Sequence, residues 1–363
     1  MTESEPVLKV VEVTKEFGSA VAVNKVSLEV YDGEFLFLIG PSGCGKTTTL
    51  RMIGGYETPT SGEIIIRDRV MNNVPLDKRN IGMVFQSYAL FPHMTVQKNV
   101  EFGLKTRGVR KSERHDRARE ALRLVELEKL EDRFPSQLSG GQRQRVALAR
   151  VIVYEPDILL LDEPLANLDK RLRDVMRVEL RKLQEKVGIT TVYVTHDQEE
   201  ALSMADRIAV MEGGNLLQVG TPSEVYNCPQ DAFVATFLGE TTSFRGDVES
   251  VTGDIASVAV EGGLHVITRH NHDVSTGDRL TISIRPERVQ ISETPPEQVD
   301  NVLPGTVDFV EYLGAHALYL IRVDNCDIML QASEPIPSGK ATFSKGSRLF
   351  ASWNLDHVVY IRE

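Results

Sequence analysis

The chain has 363 residues, 41% of them hydrophobic and 26% charged, an ordinary composition for a folded chain of two or three domains. Its formal net charge of −11 argues against a nucleic-acid binder, which would present a basic face. From Thr241 onward 10 Lys/Arg face 17 Asp/Glu, so most of the excess lies in the last third.

No apolar run approaches the roughly 18 residues that a membrane-spanning helix needs. The opening Met1-Thr2-Glu3-Ser4-Glu5-Pro6 is acidic and polar, unlike a signal peptide. Cys44, Cys228 and Cys326 lie far apart with no C-x-x-C pair, which reads as free thiols in a reducing compartment. A chain that stays in the cytosol, or rests on a membrane from that side, is expected.

In chain order, 7–13 and 26–30 alternate as strands, with Lys15-Glu16-Phe17-Gly18 read as a loop between them. Phe35-Leu36-Phe37-Leu38-Ile39 is an apolar run suited to a buried strand. It leads into Gly40-Pro41-Ser42-Gly43-Cys44-Gly45-Lys46-Thr47-Thr48, which fits G-x-x-x-x-G-K-[ST], and then into a helix from Thr49. Strand, glycine-rich turn and helix in that order define a phosphate loop. Its N–H groups and the helix N-terminus face a polyphosphate, Lys46 adds a full positive charge, and Thr47 supplies a hydroxyl to Mg²⁺. This chain is expected to bind a nucleoside triphosphate.

Pro59-Thr60-Ser61-Gly62 reads as a turn, 63–66 as a strand, and 81–85 as a buried strand ending in Gln86. From His93 to Val151 the texture is helical, with Ala118, Ala121, Leu122 and Val125 at helical spacing. Strand character returns at 158–161, followed by Asp162-Glu163-Pro164. Leu172, Met176, Leu180, Leu183 and Val187 then mark an amphipathic helix. A strand at 191–195 ends in His196, and 207–211 with 216–219 forms a closing hairpin. Strands alternating with helices imply a mainly parallel sheet with ligands at its carboxyl edge.

After about Gly239 the helical period disappears. Short strands at 256–260, 265–268, 281–285, 305–312, 317–323, 327–331 and 358–362 read as an all-β domain, a small barrel. The expected division is 1–240 and 241–363, with a helical subdomain at about 92–152.

Asp162 sits at the tip of an apolar strand, where a carboxylate beside a phosphate loop holds Mg²⁺ through water. Glu163 points elsewhere and is placed to polarise an attacking water; the alternative is that Asp-Glu-Pro only caps the next helix. His196 offers an imidazole to a γ-phosphate, and Gln86 an amide to Mg²⁺ and the phosphate. Leu138-Ser139-Gly140-Gly141-Gln142, followed by a periodic helix, is a second helix-N-terminal anion site. The first site does not need it, which suggests a nucleotide shared between two chains. Arg269-His270-Asn271-His272-Asp273 reads as a polar loop rather than a metal site.

Taken together, the phosphate loop, Gln86, Ser139–Gln142, Asp162-Glu163, Asn167-Leu168-Asp169 and His196 resemble, in family order, the ATP-hydrolysing subunit of an ABC transporter. The resemblance covers residues 7 to about 240. It implies a P-loop NTPase with a RecA-type core and a helical subdomain, ATP and Mg²⁺, and a head-to-tail homodimer with two ATP at the subunit interface. By the same resemblance Phe17 stacks on adenine, Glu163 is the catalytic base, His196 the switch histidine, and Asp169 couples the two sites. Two departures are noted: Ala166-Asn167-Leu168-Asp169 where Ser-Ala-Leu-Asp is usual, and Cys44, whose thiol beside a helix N-terminus is expected to be open to alkylation.

Without a membrane segment the pore falls to other polypeptides, the habit of bacterial importers in this family. The stretch 84–96 is similar to importer ATPases served by a solute-binding protein, with Phe91 and Met94 as candidates to dock two permease subunits or, equally, to pack the core. Ile284-Arg285-Pro286-Glu287-Arg288 resembles the signature of an appended OB-like (TOBE-type) barrel. The segments 199–207 and 233–240 are most similar to the spermidine/putrescine group, with sugar or ferric iron importers as the alternative. Repair ATPases with an inserted coiled coil, and ribosome-associated ones with two cassettes, do not match. A ligand-binding regulatory role for the barrel is compatible with transport. The implied location is the cytoplasmic face of the membrane.

Overall fold

The computed structural model describes residues 5–270, 273–336, 339 and 341–362, and the backbone but not the side chain of Glu261. Met1–Ser4, Asn271 and His272 of the segments named above lie outside the described residues.

Strands β1 (Pro6–Phe17) and β2 (Ala20–Tyr31) form a long antiparallel hairpin. Lys15, Glu16 and Phe17 therefore belong to the strand and not to a loop, with Phe17 opposite Ala20. Irregular register around Val13 and Lys15 breaks the alternation that a sequence reading relies on. Next come β3 (Phe35–Ile39), helix α1 (Lys46–Gly54), β4 (Ser61–Ile66), β5 (Arg69–Val70) and β6 (Ile81–Val84). Helices α2 (Val96–Thr106), α3 (Lys111–Leu124) and α4 (Gly140–Ile152) form the helical subdomain. Then follow β7 (Ile158–Asp162), α5 (Lys170–Val187), β8 (Thr190–Thr195), α6 (Gln198–Met204), β9 (Arg207–Glu212) and β10 (Asn215–Gly220).

Two sheets result. One has the order β2-β1-β4-β5 and is antiparallel; the other runs β10-β9-β3-β8-β7-β6. In the second, β3 pairs in parallel with both β8 and β9, and β7 with β6 and β8. Its inner strands are continuous apolar runs because both faces are covered, as parallel sheets require. All five residues of β3 are buried, and Phe37 stacks on Tyr193 of β8 at 4.3 Å. Arg79, only 3% exposed, donates to the carbonyls of Met52 and Ile53 at the end of α1 and to those of Met71 and Val74. Four carbonyls thus replace the water its charge gives up.

The described residues divide into two compact units after Ser223, upstream of the division expected at 240. The reason is local. Arg285 is 6% exposed and donates to the carbonyls of Gly239, Glu240 and Tyr226, while its guanidinium lies 4.3 Å from the Tyr226 ring. The Tyr226 hydroxyl bonds Glu287 at 2.6 Å, and burial pushes its pKa up to about 12. The Ile284–Arg288 stretch therefore anchors the chain entering the domain.

After α7 (Pro222–Asn227) and α8 (Ala232–Phe237), this unit holds β11 (Thr242–Thr252), β12 (Ile255–Val260), β13 (Leu264–Arg269), β14 (Arg279–Ile284) and β15 (Gln290–Ser292). It continues with β16 (Asn301–Tyr312), β17 (His316–Val323), β18 (Met329–Pro335), β19 (Arg348–Trp353) and β20 (Val359–Arg362). They form two five-stranded antiparallel sheets, β13-β12-β11-β14-β20 and β15-β19-β16-β17-β18, around one apolar core that includes Trp353 and Tyr319. Strands β11, β15 and β19 were not among those expected.

Candidate functional site

Parallel register places four strand ends at one edge of the six-stranded sheet. Ile39 lies opposite Thr195, Asp162 opposite Val194, and Val84 opposite Leu161. The phosphate loop, Gln86, Asp162-Glu163 and His196 therefore leave the sheet together, although they span some 150 residues of sequence.

Gly40 has φ 151°, and a Cβ there would fall 2.1 Å from the carbonyl oxygen of Met211, so only glycine lets the loop leave β3 at this angle. Lys46 is 5% exposed and donates to the carbonyls of Gly40 at 2.8 Å and Pro41 at 2.9 Å. Its ammonium holds the loop curved around a positive centre, while Pro41, Ser42 and Gly43 stay exposed at the rim. Gly45 opens α1, and Thr47 and Thr48 are half-buried in its first turn.

Cys44 corrects the expectation of an accessible thiol. It is 3% exposed, packs within the core, and its Sγ lies 3.7 Å from Lys46 Nζ. A reagent reaches it only if the loop opens.

Thr47 Oγ1 donates to Asp162 Oδ1 at 3.2 Å. Burial pushes the Asp162 carboxyl above its ordinary range, with Glu163 adding to the rise. The Thr47 hydrogen bond, then Arg51 and Lys46, pull it back. Glu163 turns out of the strand with φ 45°, its N–H donating to the Val194 carbonyl at 3.0 Å. One carboxylate oxygen lies 3.0 Å from His196 Nδ1 and the other 3.5 Å from Gln86 Nε2. A carboxylate held between an imidazole and an amide is oriented by both, and it is not a helix cap. The cap of α5 is Asp169, whose Oδ1 accepts from Leu172 N at 3.0 Å.

Ser139 and Gln142 form a capping box on α4: the hydroxyl accepts from Gln142 N at 3.3 Å, and the Gln142 amide oxygen accepts from Ser139 N at 2.9 Å. Among the described residues these bonds close on one another, and none links the turn to the phosphate loop. A Cβ on Gly140 would meet Leu168 at 2.9 Å, so the glycine lets this turn lie against the Asn167–Asp169 turn. Asn167 Nδ2 in turn donates to the Gln86 carbonyl at 2.8 Å. The asparagine that departs from the family pattern thus makes a cross-link of its own.

Phe17 ends β1 half-exposed, with Lys15 Nζ 4.8 Å from its ring centroid; Lys15 is itself tied to Glu57 at 3.2 Å and to the Thr58 carbonyl. Phe91 and Met94 are both half-buried. Phe91 packs on Phe102 at 4.5 Å, and Asn99, fully buried, bonds the carbonyls of Phe91, Met94 and Thr95.

Arg173 escaped the sequence reading. It donates to Asp197 at 3.2 Å and to the Leu168 carbonyl at 3.2 Å, joining the Asp169 turn to the residue after His196. Its place one turn after the Asp169 cap was the available signal. Among the described residues no cluster of three or more His, Cys, Asp or Glu could hold a metal, and no helix is long and apolar enough to cross a membrane.

Residues 23–166 match the ABC transporter family model, and 282–361 match the TOBE domain model. The spermidine/putrescine import ATP-binding protein PotA of Trichormus variabilis is 47% identical over 315 residues, 86% of this chain and 83% of that one. The protein of the same name from Rubrobacter xylanophilus is 45% identical over 362 residues, 99% and 95% of the two chains. Among solved structures, cbiO1 from Clostridium perfringens, part of an ABC transporter complex, superposes with TM-score 0.57 at 31% identity, covering 61% of this chain and 91% of that one. The ATP-binding cassette MJ0796, a dimer bound to ADP and Pi, superposes with TM-score 0.52 at 36% identity over 59% and 98%. The sheet edge, the phosphate loop and the carboxylate–histidine pair thus lie in a chain similar from end to end to import ATP-binding proteins, and the protein belongs to the family of ABC transporter ATP-binding subunits that carry a TOBE domain.

Proposed function

We propose that this subunit hydrolyses ATP to drive import of a polyamine, spermidine or putrescine, through separate membrane-spanning subunits. The observation that supports the solute class is the 42–47% identity to import ATP-binding proteins of that name, extending through the TOBE domain. The observation that supports the chemistry is Glu163, oriented by His196 at 3.0 Å beside the phosphate loop.

In this reading the adenine lies on Phe17 and the triphosphate in the Gly40–Thr48 loop. Lys46 exchanges the carbonyls of Gly40 and Pro41 for phosphate oxygens. Glu163 takes the proton of the attacking water while His196 holds the carboxylate in place. The hydroxyl of Thr47, the carboxylate of Asp162 and the amide oxygen of Gln86 suit a hard cation that takes oxygen ligands. Mg²⁺ bound there neutralises phosphate charge. Two copies meet head to tail, each closing the other's nucleotide with its Ser139–Gln142 turn, of which Ser139 is exposed, and Asp169 lies where the two sites couple. Closure moves two permease subunits docked near Phe91 and Met94, supplied by a solute-binding protein, on the cytoplasmic face of the membrane.

The test is Glu163→Gln. The variant is expected to bind ATP like the wild type, to hydrolyse it roughly 10² to 10⁴ times more slowly, and to abolish uptake of labelled spermidine or putrescine by cells that depend on it. Turnover within a few-fold of wild type means that another group is the base. Normal polyamine uptake alongside failed uptake of a sugar or of ferric iron moves the subunit to that solute.

A further inference from the structure

The amino ends of β6 and β7 lie opposite the nucleotide edge, because parallel register sets Ile81 against Ile158. A cavity of about 150 Å³ opens there, lined by the apolar Ile66, Met71 and Ile81 and by charged groups. That is roughly the space of five water molecules, which holds one phosphoryl group. The charged lining is four cations, Arg67, Arg69, Lys78 and Arg79, against one carboxylate, Asp157, in a chain whose net charge is −11.

Only one of these cations is neutralised. Arg67 donates Nε to Asp157 at 2.7 Å, and its Nη2 lies 3.9 Å from Asp32. Arg79 is buried and bonds carbonyls alone, which satisfy its N–H groups and leave its charge uncancelled. Arg69 and Lys78 are exposed, and among the described residues neither side chain has an ion pair or hydrogen bond. Cations beside a low-dielectric apolar wall focus the field on whatever sits between them. The local backbone favours the same reading. Arg67 and Asp68 form the two-residue turn between β4 and β5, with φ 44° and 60°. Such turns take Asn-Gly or Asp-Gly by preference, so Arg-Asp accepts strain there and keeps two charged side chains. Arg69 pairs with Ile66 across the strands, and cross-strand partners share a face, so Arg69 stands on the face of a cavity-lining residue.

We propose that this cavity is an anion site for one phosphoryl group that retains a hydroxyl, as inorganic phosphate or a monoester headgroup does. Arg69 and Lys78 donate to its oxygens, with the Arg79 charge behind them. The hydroxyl donates to Asp157, an acceptor-only carboxylate that repels an anion with no proton to give. The site uses no residue of the nucleotide edge and does not rest on the ATPase reading.

The experiment titrates inorganic phosphate, and separately sulfate, into the full chain by calorimetry. Low ionic strength keeps the exposed charges unscreened, and Mg²⁺ with a non-hydrolysable ATP analogue occupies the phosphate loop. A parallel arm floats the chain with phosphatidylcholine vesicles, with and without phosphatidic acid. The variants are Arg69→Gln/Lys78→Gln and Asp157→Asn. Lys129→Gln/Lys186→Gln, at exposed positions elsewhere, controls for equal loss of charge. Phosphate is expected to bind more tightly than sulfate. The Arg69/Lys78 double variant is expected to lose about tenfold or more in affinity, since a charge-assisted hydrogen bond is worth at least that, and the control less than about twofold. Asp157→Asn is expected to erase the preference for phosphate over sulfate, an effect that damaged packing does not produce. Phosphate binding lost in the double variant assigns a free anion. Binding to phosphatidic acid vesicles alone, lost in the same variant, assigns a headgroup. The proposal is overturned if neither probe binds, if the double variant binds as the control does, or if sulfate and phosphate bind alike, which marks an adventitious ion only. If one variant does not fold, the other decides.

Discussion

Asp162 ends a strand whose other four residues are buried aliphatics, so its carboxylate loses water that the Thr47 hydroxyl and the nearby Arg51 and Lys46 charges replace only in part. With its pKa raised in the folded chain, the native state holds more protons than the unfolded one between the ordinary carboxylate range and that raised value. Stability therefore falls as pH rises through that window, and the cost is fully present above it. Asp162→Asn keeps an oxygen for Thr47 and removes the charge. It is expected to raise the melting temperature of the nucleotide-free chain at pH 7, with the gain shrinking as pH falls toward the ordinary carboxylate range, and to abolish Mg²⁺-dependent hydrolysis. An unchanged or lower melting temperature at pH 7 would contradict this account. Glu163 also departs from local backbone preference, since its φ of 45° suits glycine better than glutamate.

At the scale of elements, the turns that carry the site are also helix caps. Ser139 caps α4, Asp169 caps α5, and Asp197 caps α6 by accepting from Glu200 N at 3.2 Å. A substitution at any of them mixes stability with chemistry. Ser139→Ala is expected to cost about 1 kcal/mol of stability through the lost cap, read by urea unfolding. It is also expected to lower hydrolysis while leaving the ATP affinity of the dilute monomer unchanged. Weakened monomer binding would mean that the turn serves its own chain's nucleotide.

The long amphipathic helix and the buried strands of the parallel sheet were legible from periodicity alone. The ends of β1 were not, because bulges at Val13 and Lys15 interrupt the two-residue alternation. Strand β11 was missed for a related reason: its inward residues begin Thr242, Phe244 and Gly246, and two of the three carry no apolar signal.

At the scale of the whole molecule, the phosphate loop and the Ser139 turn, proposed above as two anion sites, have no hydrogen bond between them among the described residues. If each is completed only by a second copy, hydrolysis per chain is expected to fall with dilution toward the dissociation constant of the ATP-bound pair. It should recover on concentration, as a stopped assay over a range of protein concentrations would show. A specific activity independent of concentration down to fully monomeric protein would refute shared sites.

The phosphate loop could be read from the sequence because everything that makes it work is local: nine consecutive residues, a strand before them and a helix after. Which side chains meet could not be read this way. Glu163 and His196 are 33 residues apart, Gln86 and Asn167 are 81, and Arg150 and Ala89 are 61. Their proximity follows from parallel register and from the packing of α4 against the sheet. Local periodicity says which face of an element is buried, but it does not say which distant element lies against that face. The motifs were therefore settled by the chain, and their geometry by the fold.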